Sequence, residues 1–159
     1  MEPIKIEMYR PGQEEAVYRL IRKVYDEFVA IDYVEAGNLF FYDWIKPEAI
    51  AARQVNSVNL LVAKVGSEIA GMIEMRNNNT VSLLFVDKLF HGYGIARNLF
   101  DNALKMCLQR EPRPTELFVH ASPFSIPVYE KLGFIATSVM QEENGIRYLP
   151  MKMAVLDTI

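Results

Sequence analysis

The residues best placed to do chemistry are His91-Gly92-Tyr93-Gly94-Ile95-Ala96, which follow an almost wholly apolar run, Val81-Ser82-Leu83-Leu84-Phe85-Val86, and lead into a helical pattern. Glycines between a buried strand and a helix leave backbone N–H groups unpaired at the positive end of the helix dipole, a seat for phosphate. The spacing is not that of the dinucleotide fingerprint, because Arg97 stands where its third glycine belongs, and no G-x-x-x-x-G-K-[ST] occurs in the chain. Readings as an NAD or ATP site therefore recede. Taken alone, the loop fits a tight strand-to-helix turn without a ligand equally well. Cys107, the one cysteine, falls mid-helix on an apolar face with no base near it in sequence, so covalent catalysis through it is not expected. With His91 and His120 the only histidines, there is no ligand set for a typical structural zinc site, and metal-free chemistry is expected.

The elements that must position this loop are legible from periodicity. Ile4–Met8 reads as a strand, and residues 13–29 as an amphipathic helix with Ala16, Val17, Leu20, Ile21, Val24 and Phe28 on one face, after the breaker Pro11-Gly12. A short helix is expected over 47–54, with Pro47 at an early position. Strands over 59–65 and 68–76 are joined by the hairpin turn Gly66-Ser67, and Asn77-Asn78-Asn79 turns the chain into 80–86. This predicts three consecutive antiparallel strands, the last of them central because it is apolar on both faces. The helix after the loop carries Leu99, Phe100, Ala103, Leu104, Met106 and Cys107 and stops at Pro112-Arg113-Pro114. A strand over 115–121 then completes a crossover, so the strands flanking this helix are parallel. Ser122-Pro123 opens a helix to about Leu132, ended by Gly133, and strands over 135–141 and 146–153 flank the hairpin signal Asn144-Gly145. The fold class is mixed α/β, in one domain over 1–159.

At these residues the chain resembles the GNAT-type N-acetyltransferases, in which a strand, a Gln/Arg-x-x-Gly-x-Gly/Ala loop and a helix hold the pyrophosphate of acetyl-CoA. His91-Gly92-Tyr93-Gly94-Ile95-Ala96 matches that loop except at its first position, where His91 replaces Gln or Arg. Val128-Tyr129-Glu130-Lys131-Leu132-Gly133-Phe134 matches the Tyr-Glu-Lys-Leu-Gly-Phe ending of the family's last core helix. The order of elements from Ile4 to Met153 fits as well. The resemblance implies a central, mostly antiparallel sheet with one parallel pair splayed at the cofactor site and helices on both faces. It implies acetyl transfer from acetyl-CoA to a primary amine of a small molecule or peptide by direct attack. The cofactor-binding set is then Phe85 and Val86 at the strand end with His91, Gly92, Tyr93, Gly94, Ile95, Ala96 and Arg97. The imidazole of His91 either hydrogen-bonds phosphate or faces solvent while its N–H makes the contact. Arg97 either pairs with a phosphate or sits exposed.

By the same resemblance Tyr129 is the general acid that protonates the CoA thiolate. The base that accepts the ammonium proton is open between Glu74 on one strand, His120 on another, and a chain of water; Asp87 reads as a turn residue. Glu74 shares strand parity with Ala70 and Met72 and lines a partly apolar cleft or faces water. His120, neutral near pH 7, suits proton transfer. Residues 26–48 hold six acids, Asp26, Glu27, Asp32, Glu35, Asp43 and Glu48, against the single base Lys46, among Tyr33, Phe40, Phe41, Tyr42 and Trp44. Carboxylates with aromatics suit a cationic amine, and Glu35 and Tyr33 are the substrate-binding candidates, Glu35 because Gly37 reads as a turn that aims it at the cleft. The same aromatics equally form core, or the interface of a homodimer.

Composition bounds these readings. The 159 residues are 51% apolar and 23% charged, too hydrophobic for disorder, and no apolar run is long enough for a membrane span. The net charge of −3 lacks the basic excess that nucleic acid requires. Met1-Glu2-Pro3-Ile4-Lys5 carries no secretory pattern, so a cytoplasmic enzyme is expected. The competing class is a non-catalytic acyl-CoA-binding or regulatory module, kept open by His91 and by the want of an obvious base.

Overall fold

The computed structural model describes residues 2–156. Its sheet is built from β1 (Ile4–Met8), β2 (Leu60–Val65), β3 (Glu68–Arg76), β4 (Thr80–Val86), β5 (Glu116–Ala121), β6 (Ile135–Ala136), β7 (Gln141–Glu143) and β8 (Ile146–Ala154). The order is β1-β2-β3-β4-β5-β8-β6, with β7 paired on β8, and every pairing is antiparallel except β4 with β5. The helices are α1 (Glu14–Phe28), α2 (Glu35–Trp44), α3 (Pro47–Arg53), α4 (Ile95–Leu108) and α5 (Ile126–Leu132). Among the described residues no helix is long and apolar enough to cross a membrane.

Period-2 alternation in β2 sends Leu60 and Val62 to one core and Leu61 and Ala63 to the other. The first core is closed by Val17, Leu20, Ile21 and Val24 of α1, the second by Leu99, Phe100, Ala103 and Cys107 of α4. Two bulges then break the alternation. One, opposite Ala63 and Lys64, puts Ala70 in the α4 core, so Ala70 and Glu74 do not share a face as simple parity predicts. The other leaves Ser82 outside the β3 register, and Val81 and Leu83, two residues apart, consequently pack in opposite cores.

The second bulge sits where the parallel pair comes apart. β4 and β5 pair only at Thr80 with Phe118 and Val81 with Val119, and their remaining lengths splay. A V-shaped opening results in the middle of the sheet, with α4 and α5 on one side and α1 and α2 on the other.

Three local expectations change. Gly37, read as a turn, lies instead inside α2, which runs over Glu35–Trp44. A Cβ on Gly37 would stand 2.5 Å from the carbonyl oxygen of Gly145, so glycine is there to let α2 meet the tip of the β7–β8 hairpin. The helix expected from Ser122 begins instead as a 3-10 turn over Pro123–Ser125, and α5 starts at Ile126, with Pro127 in its first turn. Proline lacks the N–H that would have donated back to residue 123, which prevents one continuous helix. The expected strand over 135–141 divides into β6 and β7. The Asn144-Gly145 turn forms as expected, both residues at positive φ, 54° and 79°, as a type I′ hairpin demands.

Candidate active site

The splay opens into a cleft of about 980 Å³ that passes through the sheet. Its α4–α5 side is lined by Gly92, Gly94, Ile95, Ala96, Arg97 and Tyr129, and its α1–α2 side by Tyr25, Tyr33, Phe40, Phe41 and Trp44. Phe85, Val86, His91 and His120 line it as well. Residues far apart in the chain are thus gathered on one cavity because the two central strands diverge.

The glycine loop forms a cradle. Gly92 and Gly94 have φ of +88° and +74°, the left-handed region that glycine enters without strain, and a Cβ at either would meet no atom within 4 Å. Asn98 N–H is the first to bond back, to the Gly94 carbonyl. The N–H groups of residues 92–97 donate to no carbonyl or side chain among the described residues. They lie at the positive end of the α4 dipole, which suits a pyrophosphate group.

His91 stays out of that cradle. Its Nε2 donates to the Val86 carbonyl at 2.9 Å, and its own N–H donates to the Lys88 carbonyl at 3.2 Å. Neither expected phosphate contact is therefore offered: the imidazole satisfies a carbonyl at the end of β4 and braces the loop. Arg97 donates from Nη2 to the Lys131 carbonyl at 2.7 Å, joining the start of α4 to the last turn of α5. This brings Lys131, which sequence reasoning passed over, to the cleft wall beside the loop. The signal was the Lys within the Tyr129-Glu130-Lys131 motif.

Tyr129 is the fourth residue of α5 and is 5% exposed, held edge-on to Phe134 with ring centres 5.5 Å apart. Its hydroxyl takes no hydrogen-bond partner among the described residues, and burial pushes its pKa far above the ordinary phenol value. It is a neutral donor across any physiological pH.

The proposed bases separate. Glu74 is 2% exposed and is not among the residues that line the cleft. Arg53 Nε donates to its two oxygens at 3.2 and 3.1 Å, Arg53 Nη2 to Oε1 at 3.0 Å, and Gln54 Nε2 to Oε2 at 2.5 Å. Both oxygens are thereby held, and Glu74 acts by holding Arg53, whose guanidinium lies 4.2 Å over the Trp44 ring and donates to the Trp44 carbonyl at 2.7 Å. His120 is on the cleft, stacked on Tyr148 at 4.3 Å. Burial first, and then the nearby Arg76 guanidinium, hold its pKa below the ordinary imidazole value, against a smaller opposite pull from Glu143. For Asp87 burial is outweighed by the Leu89 N–H and Lys23, which keep its carboxylate below its usual pKa in the turn after β4. Burial pushes the Cys107 thiol up to about 11, far from a ready nucleophile.

The acid-rich segment does not turn inward. Asp26 accepts from Arg22 and from Tyr42, Glu27 from Lys88, and Asp43 pairs with Lys46, all on the outer surface. Glu35 is exposed in the first turn of α2 and does not line the cleft, because helix formation through Gly37 removes the turn that would have aimed it there. Tyr33 does line it, hydrogen-bonded with Ser122, and burial followed by the Asp32 charge pushes its phenol up to about 12. The aromatics are both core and wall: Tyr25 stacks on Phe41 at 3.9 Å, its hydroxyl donating to Asn38 at 2.7 Å.

Solved structures share this architecture. A GCN5-related N-acetyltransferase from Rhodopseudomonas palustris superposes with a TM-score of 0.81 at 19% identity, over 98% of each chain. The PaiA N-acetyltransferase of Thermoplasma acidophilum, solved in complex with coenzyme A, gives 0.77 at 16% identity over 96% of this chain and 99% of its own. Ard1 from Thermoplasma volcanium gives 0.66 at 20% identity over 97% and 99%. No curated protein matches the sequence significantly. At these identities the likeness establishes the fold alone, while the sequence itself matches the family model for the acetyltransferase (GNAT) domain over residues 29–155, from the end of α1 through β8. Splayed strands, glycine cradle and buried tyrosine thus lie within a matched segment that spans most of the chain, which belongs to the GNAT acetyltransferase family.

Proposed function

We propose that this chain is a single GNAT-like domain that transfers an acetyl group from acetyl-CoA to a primary amine by direct attack. The observation that carries the reading is the row of unpaired N–H groups over 92–97 opening on the same cleft as the Tyr129 hydroxyl. The cradle has room for a diphosphate where side chains would otherwise project, and the coenzyme A bound by the Thermoplasma acidophilum relative is the ligand such a cradle suits. Lys131 adds charge beside it, while Phe85 and Val86 line the path from the loop toward the splay.

When bound, acetyl-CoA supplies an activated thioester carbonyl. The protein's part is proton traffic and placement. As the amine nitrogen bonds to the carbonyl carbon and the carbon–sulfur bond breaks, Tyr129 gives its hydroxyl proton to the departing sulfur, its raised pKa keeping that proton available. The proton lost by the amine passes to His120, directly or through water, the lowered pKa keeping the imidazole neutral and receptive. Proton exchange with solvent restores both groups. One amide, one free thiol and one proton result from an ammonium acceptor and a thioester. Ser82, bulged out of the ladder onto the cleft, adds hydrogen-bonding groups at the point where the strands part.

Purified protein is incubated with acetyl-CoA and a panel of primary amines, and free thiol is followed. Acceptor-dependent thiol release supports the transferase; CoA binding without it under every acceptor supports a binding module instead.

A further inference from the structure

Among the described residues, the walls of the cleft contain no carboxylate side chain. The charged side chains that line it are Arg76, Arg97 and Lys131, and the last two belong to the phosphate end. Arg76 lies at the other end. It closes β3, paired with Thr80 at the start of β4, and shares a β3 face with Met72 and Glu74, the face on which α1 and α3 pack. On β5, Leu117, Val119 and Ala121 enter the α4 core, so His120 projects to the same side as Arg76. Arg76 is exposed, and its guanidinium makes no hydrogen bond or ion pair among the described residues. The same cleft carries the wall of Tyr25, Tyr33, Phe41 and Trp44, the last fixed by Arg53 and Glu74.

A polycation would meet an unpaired guanidinium here and no carboxylate on the wall; Glu143, whose charge reaches His120, lies off the lining. An amine that also carries a carboxylate meets the complement: guanidinium pairs with carboxylate in a planar, two-pronged geometry. In an α-amino acid the nitrogen and the carboxylate are attached to one carbon, so a carboxylate seated on Arg76 delivers the nitrogen to neighbouring His120. Resting on the acyl-transfer reading above, we propose that the acceptor is a small amino acid with an aromatic or apolar side chain, its carboxylate held by Arg76 and its side chain laid against the Tyr25–Trp44 wall.

The test is a matched acceptor set, L-phenylalanine, L-phenylalaninamide, 2-phenylethylamine and spermidine, with kcat/KM expressed per unprotonated amine. An exposed charge-assisted pair corresponds to about tenfold, so phenylalanine should exceed its amide by at least that factor. In Arg76→Gln the ratio of acid to amide should collapse toward one, and Arg76→Lys should restore part of it. Trp44, the sole tryptophan, lies on the cleft and gives a second reading: with acetyl-CoA present its fluorescence should respond to phenylalanine at lower concentration than to the amide. Equal ratios in the wild type, a preference for spermidine, or equal or absent Trp44 responses to acid and amide overturn the acceptor assignment. Thiol release with the amide or spermidine would in that case leave acyl transfer standing, whereas failure to bind CoA would remove both.

Discussion

Replacing Tyr129 by phenylalanine isolates the proton-donor role, because the hydroxyl is the only group lost and it holds nothing in place. The ring keeps its edge contact with Phe134, and no hydrogen bond among the described residues is broken. Stability should therefore change by no more than about 0.5 kcal/mol, and CoA affinity should stay within about twofold. The rate is another matter. Without a donor the sulfur must leave as a thiolate or take a proton from water, and positioned acid–base help amounts to roughly 10²–10⁴-fold, or about 3–5 kcal/mol of barrier. Thiol release at saturating acetyl-CoA and acceptor measures kcat directly, and calorimetric CoA titration with a thermal melt checks binding and folding. A folded Tyr129→Phe variant that binds CoA and keeps wild-type kcat would refute the assignment and leave water as the donor. The wild type adds a check on sign: because burial raises the Tyr129 pKa, the donor stays protonated as pH rises, and kcat should show no loss of acid below about pH 10.

Three further outcomes are expected. Gly94→Val puts a branched side chain into the cradle at φ +74°, with no protein atom in its way; strain should cost about 1–2 kcal/mol in a melt, while the Kd for CoA rises at least about 100-fold, and unchanged affinity in the folded variant would take the loop out of the site. For His120, activity needs the neutral ring, so kcat/KM should fall as pH drops through a pKa below 6.5; removing the Arg76 charge in Arg76→Gln should move that limb to higher pH, and an acid limb insensitive to both Arg76→Gln and His120→Ala would exclude His120 as base. Arg53→Ala strands the buried Glu74 carboxylate and should lower stability by about 3–5 kcal/mol, whereas Glu74→Gln should keep its folded-state kcat within about threefold; a loss of kcat of about 10³-fold in a folded Glu74→Gln protein would return Glu74 to the chemistry.

Local chemistry is what the sequence by itself determined. The apolar period of α1, the alternation in Leu60-Leu61-Val62-Ala63, the positive-φ turns at Asn144-Gly145 and Gly133, and the glycines of the loop before α4 are each set by residues a few positions apart, so they are readable without a partner. The tertiary structure decided what depends on distant chain. Apolar residues surround α2 without a clear stripe, and its docking is set by the Gly37–Gly145 approach across more than a hundred residues. Periodicity cannot announce a bulge, yet the Ser82 bulge switches the faces of β4 where the cleft begins. Glu74 and Glu35 carry the same side chain in polar–apolar surroundings, and only the meeting of Glu74 with Arg53, twenty-one residues back, makes one a buried strut and leaves the other on the surface. His91 meets the Val86 carbonyl at the end of β4, beyond the point where β5 has parted from it. A cleft's charge belongs to the side chains that face it: here Asp26, Asp43 and Glu27 pair outward with Arg22, Lys46 and Lys88, and the charged residues on the cleft are Arg76, Arg97 and Lys131, a sign that composition along the chain does not contain.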